Sequence, residues 1–149
     1  KMPVFSASVL NPQAVAQLKD PQVTGVVQIA FDIPSNIELL PKNEQNRIAN
    51  NFIIMLSSTK PKNVNHPASF GIQGEPAIDF HLVKGAAFSN GAPLIDGPSP
   101  VAASPLNSLI GQNVNQVWVL SIDKSQGPQV DWSTIQDVML SIDYTAQLV

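Results

Sequence analysis

Residues 117–123 read VWVLSID and residues 135–146 read IQDVMLSIDYTA, and these two runs decide the fold class. In the first, Trp118, Leu120 and Ile122 share one phase, with Val117, Val119 and Ser121 between them. In the second, Val138, Leu140, Ile142 and Tyr144 point one way while Asp137, Met139, Ser141 and Asp143 point the other. Alternation with period two is the pattern of a half-buried β-strand, because successive side chains leave opposite faces of a sheet. Upstream, Val27, Ile29, Phe31 and Ile33 alternate with Gln28, Ala30 and Asp32, and Ile78, Phe80 and Leu82 alternate with Asp79 and His81. The unbroken run from Phe52 to Leu56 suits a central strand covered on both faces.

The remainder leaves little room for helix. Residues 11–18, NPQAVAQL, carry an Asn N-cap with Pro in the first helical position, and Pro21 ends any helix after about two turns. Residues 41–50, PKNEQNRIAN, lack an apolar stripe and read as a polar loop. Residues 90–105 hold Gly91, Pro93, Gly97, Pro98, Pro100 and Pro105, a density of proline that predicts a long surface loop. The expected fold is all-β. It is a single antiparallel β-sandwich, jelly-roll-like, over residues 1–149, with one long Pro-rich loop.

Composition narrows the partners. A chain of 149 residues with 44% hydrophobic residues can build one core unaided. Only 13% of residues are charged, about half the usual share, while Asn and Gln fill 24 positions, so much of the surface is polar but neutral. A net charge of −3 with scattered Lys and Arg excludes a nucleic-acid groove. No apolar run approaches the roughly 18 residues of a membrane span. With no cysteine, disulfide scaffolds, thiolate catalysis and zinc–thiolate sites are excluded. Lys1-Met2-Pro3 lacks the layout of a secretion signal, and the strand-like pattern still runs at Tyr144 to Val149. Both ends read as boundaries of a domain taken from a larger chain.

The C-terminal third resembles a known family. Trp118 in a strand, then Asp131-Trp132, then Ile135, Asp137-Val138 and Tyr144-Thr145-Ala146 follow in order the closing segment of A subunits of bacterial insecticidal toxin complexes (Tc toxins). A second echo lies in Phe31-Asp32-Ile33-Pro34, Arg47-Ile48 and Phe52 to Leu56. Together the two blocks cover about half of the chain. The chain departs from the family at Ser141 and Asp143, where basic residues are usual, and in the Pro-rich stretch at 90–105 before Trp118. The resemblance implies a β-sandwich that joins subunits and is not catalytic, in a secreted or cell-surface, toxin-like bacterial protein.

Chemistry-bearing residues are sparse. His66 and His81 are the only histidines, too few for a zinc site. Residues 70–75, FGIQGE, lack the Gly-Lys-Ser/Thr ending of a phosphate loop and read as a hairpin turn. Asp96-Gly97 and the pair Asp123 and Asp131 are the best calcium pieces, but no Asp-x-Asp-x-Asp-Gly run supports them. No Gly-x-Ser-x-Gly elbow occurs, and the acids sit singly rather than as a paired glycosidase dyad. Trp118 reads as core, Trp132 as packing at a strand entrance, and Tyr144 as a buried ring with its hydroxyl near an edge. The expectation is a non-enzymatic structural and interaction domain, without catalytic residues, metal or cofactor. Its partners would be other subunits or domains of the same assembly. A carbohydrate-binding module, presenting Asn, Gln and Ser to glycans, is the alternative.

Overall fold

The computed structural model describes residues 3–58, 80–83, 89–90, 97–100, 109–126 and 131–149. Strand β1 (Val4–Ser6) leads into helices α1 (Ala7–Leu10) and α2 (Pro12–Lys19). Strands β2 (Val26–Asp32), β3 (Glu44–Ser58), β4 (Phe80–Val83), β5 (Ser89–Asn90), β6 (Gly97–Pro100), β7 (Val117–Asp123) and β8 (Ile135–Leu148) follow. Short 3-10 turns at Lys124–Gln126 and Trp132–Thr134 flank the β7–β8 connection. The strands form two antiparallel four-stranded sheets, ordered β1-β8-β3-β6 and β2-β7-β4-β5.

The predicted phases hold where alternation is strict. Val27, Ile29 and Phe31 on β2, Trp118, Leu120 and Ile122 on β7, and Val138, Leu140, Ile142 and Tyr144 on β8 are all buried. These residues belong to a single core cluster fed by both sheets. The Phe52 and Trp118 rings, one from each sheet, meet edge to face with centroids 5.2 Å apart. On β3, an interior strand, Phe52 and Ile54 are buried, while the side chains of Ile53, Met55 and Leu56 lie outside the described ones.

The all-β, jelly-roll-like sandwich is corrected by this architecture, and so is the sandwich that the toxin resemblance implies. Two helices, Ala7–Leu10 and Pro12–Lys19, contribute Ala7, Ala14, Val15 and Leu18 to the core, and both sheets stay open rather than curling closed. The fold is mixed, two open sheets plus a helical segment. Helix α2 packs on β2 and β8, and α1 reaches β1, β2 and β8. Among the described residues β1 and β2 are edge strands of their respective sheets, and the helices cover the core on that side. The Asn-Pro start works as its chemistry requires: the Asn11 side chain accepts from the Ala14 N–H, with Pro12 opening the helix.

Two loop expectations are also corrected. Residues 44–50 belong to β3, and the polar pattern there reflects bulges rather than a loop. Pairing with β8 slips between Gln45 and Ile48 and again between Ala49 and Asn51. Asn46 sits at the first slip with φ 52°, a left-handed conformation that Asn tolerates better than most residues. Each extra residue flips the alternation, so Arg47 and Ala49 point inward while Asn50 and Asn51 are both exposed. Within the Pro-rich stretch, Gly97–Pro100 forms β6, paired with β3 from Ile53↔Pro100 to Met55↔Pro98. Proline is compatible with this position because, among the described residues, β6 is an edge strand of its sheet. Residues 91–96 and 101–105 lie outside the described residues.

Candidate functional site

Three clusters of side chains stand out, and the first is structural. Arg47 is 3% exposed, yet its guanidinium is fully engaged. Its Nε donates to Glu44 Oε1 at 3.1 Å, and its terminal nitrogens donate to the Ser35 and Pro41 carbonyls and to Asn115 Oδ1. The Tyr144 hydroxyl donates to the same Glu44 oxygen at 2.7 Å. Burial, then the Glu44 hydrogen bond and charge, push the Tyr144 phenol up to about 12, against an opposing pull from Arg47. Paired and hydrogen-bonded on all sides, this charge ties the loops at 33–41 and 109–116 to β3. It offers no open face to a substrate.

The second cluster is an apolar groove of about 310 Å³ lined by Val4, Phe5, Ser6, Val9, Leu10, Ile37, Glu38 and Leu39. It runs beside β1, which among the described residues pairs with β8 on one side only. Val4, Val9 and Leu39 are 42%, 77% and 51% exposed there, a concentration of large apolar side chains on one surface. Its position depends on Asp137 of β8. That carboxylate accepts from the Ser6 hydroxyl and the Ser8 N–H, capping α1 from another strand because Ser6 makes no side-chain cap itself.

The third is a cavity of about 590 Å³ at the opposite end of β7 from Asn115, where β7 runs into its 3-10 turn. Lys19, Pro21, Val23, Thr24, Lys124, Ser125, Asp131, Trp132 and Ser133 line it. Two Asp-x-Ser segments shape the rim. Asp123 Oδ1 accepts from the Ser125 N–H and hydroxyl, and Asp131 Oδ1 accepts from those of Ser133. Lys124 is only 6% exposed, and its amine donates to the Asp20 carbonyl at 2.8 Å. Burial lowers its pKa, partly offset by the negative charge of Asp20.

The structure gathers only some of the residues singled out by sequence. Asp123 and Asp131, the calcium candidates, each cap their own turn. Among the described residues no group of three or more His, Cys, Asp or Glu could hold a metal ion. Trp118 is core and Trp132 is 8% exposed, packed at the entrance to β8 yet lining the cavity. Tyr144 is buried with its hydroxyl bonded to Glu44. His66, residues 70–75, Asp96 and the His81 side chain lie outside the described residues. Lys124, Val9 and Leu39 escape sequence reasoning, because the surfaces they build join segments far apart in the chain. The repeated Asp-x-Ser spacing was the one readable signal near the cavity. No protein family matches the chain, and no curated protein matches it.

Proposed function

We propose that this domain is a non-enzymatic interaction module that docks an extended apolar segment of a neighbouring protein chain along the β1 groove. The observation carrying this reading is the exposure of Val4, Val9 and Leu39 around an apolar channel beside an edge strand. An edge strand presents unpaired N–H and C=O groups that an added strand can bond, while alternate side chains fill a flanking groove. Among the described lining residues Glu38 is the one that is charged, so a partner segment with a basic residue at that rim complements it. The resemblance of residues 118–146 to the subunit-joining region of Tc toxin A subunits supports the same role, without its sandwich fold. The alternative, carbohydrate binding, places its ligand at the Trp132 cavity instead, since the groove's ring, Phe5, is 1% exposed.

Light scattering across a concentration series tests the proposal, because a second copy's apolar surface stands in for the missing partner. The mass should rise with concentration, and Leu39→Lys should return it to the monomer value. A monomer at every concentration, or association untouched by Leu39→Lys, would overturn the reading.

A further inference from the structure

We infer that the Asp20–Pro21 peptide bond is a self-cleavage site, activated by the Lys124 amine and cut by the Asp20 carboxyl group. This activity is separate from partner docking and acts once, on the chain itself. The bond is the only Asp–Pro bond in the sequence, and it lies just past α2, where Asp20 is the C-cap. Proline's amide nitrogen carries no hydrogen, and breaking the bond releases a secondary amine, a more basic group than the primary amine that other residues would release. Two donors converge on the carbonyl oxygen of this bond: Lys124 Nζ at 2.8 Å and the Val23 N–H at 3.0 Å. Donors so placed stabilise the negative charge that a carbonyl oxygen gains when its carbon is attacked. Lys124 comes from the 3-10 turn after β7, and its side chain is buried, which strengthens its pull on that oxygen.

The nucleophile is held beside the same bond. Asp20 Oδ1 accepts the Gln22 N–H at 2.9 Å, which folds the carboxyl group back along the Asp20–Pro21 bond. A carboxyl oxygen of Asp20 reaches its own main-chain carbonyl carbon by closing a five-membered ring, so the attack is intramolecular. In this step a C–O bond forms between that oxygen and the Asp20 carbonyl carbon, and the C–N bond to Pro21 breaks. The acid proton of the carboxyl group passes to the Pro21 nitrogen. The products are a cyclic anhydride on Asp20 and a free secondary amine on Pro21. One water then opens the anhydride and leaves Asp20 with two carboxyl groups. Asp20 and Pro21 are both exposed, so water reaches them. The cut separates residues 1–20, which carry β1, α1 and α2, from the rest of the chain. Buried Phe5, Ala7, Ala14, Val15 and Leu18 keep that piece seated in the core, so the fragments part only on denaturation.

Denaturing mass spectrometry of the purified protein, held folded in mildly acidic buffer, tests this assignment. Fragments 1–20 and 21–149, together one water heavier than the intact chain, should appear at least about tenfold faster than from the same protein unfolded in urea at the same pH. Asp20→Asn should abolish the cut. Lys124→Met should bring the folded rate down to the unfolded one, and Lys124→Arg, which keeps the charge and the N–H donors, should restore part of it. Melting curves establish that each variant is folded. Should Lys124→Met fail to fold, the folded and unfolded rates of the unaltered protein carry the test. Equal rates in those two states, or no cut after Asp20, would overturn the site. A cut that persists unchanged in Asp20→Asn would overturn the nucleophile, and an unchanged rate in folded Lys124→Met would overturn the role of the amine.

Discussion

At the scale of single residues, Trp118 carries the most packing. Its ring is fully buried, meets Phe52 edge to face, and donates its indole N–H to the Val114 carbonyl at 3.0 Å. Removing the ring leaves a cavity at the junction of the two sheets and an unmatched carbonyl in the loop before β7. Trp118→Ala should therefore destabilise by ~3–5 kcal/mol in a urea melt. A loss under about 1 kcal/mol would contradict the inward phase of β7. Tyr144 makes a pH-dependent contribution. Its phenol ionises near 10 when unfolded and only near about 12 when folded. A raised pKa means the native state holds its proton longer, so this contribution is complete below pH 10 and disappears as pH rises to about 12. Lys124, with its lowered pKa, acts in the opposite sense at alkaline pH, favouring the folded state as pH rises toward 10.5. Melting midpoints between pH 9 and 12 should fall less steeply in Tyr144→Phe than in the unaltered protein. Identical slopes would place the phenol outside the network.

At the scale of elements, the helices depend on caps drawn from neighbours. Asn11→Ala removes the side-chain acceptor for Ala14 and should cost ~1 kcal/mol, with little change in the sheets. Asp137→Ala should cost more, ~1–2 kcal/mol, because the same carboxylate also holds Ser6 and the Val138 N–H. Hydrogen exchange should quicken in α1 first in that variant, and uniform quickening would show that Asp137 does not act locally. These elements differ in how plainly the sequence announces them. Strands β2, β7 and β8 are legible because one buried face imposes strict alternation, and α2 because Asn11 and Pro12 leave a cap signature. The first half of β3 is illegible because two bulges break its phase and its inward side chain is a charged Arg47, made tolerable only by Glu44, Ser35, Pro41 and Asn115. α1 has four residues, too few for any periodicity, and takes its cap from β8 across the chain. β6 reads as loop because proline is costly in a ladder everywhere except an edge.

At the scale of the molecule, two open sheets share one core, and α1 and α2 cover it beside the edges β1 and β2. Openness has a consequence for association. A closed barrel abolishes edges, whereas this fold keeps them, and only 13% of residues carry charge to discourage edge pairing. Around β1 the exposed surface is apolar rather than guarded, which the proposed docking role explains. Neither the groove nor the Lys124 cavity was readable from sequence, because each is assembled from segments brought together only by the pairing of β1 with β8 and of β2 with β7. The most direct measurement is methyl NMR of the protein over a dilution series. The account predicts concentration-dependent shifts confined to Val4, Val9, Leu10, Ile37 and Leu39. Shifts centred on Val26 or Val117 at the β2–β7 end, or spectra that do not change with concentration, would contradict it.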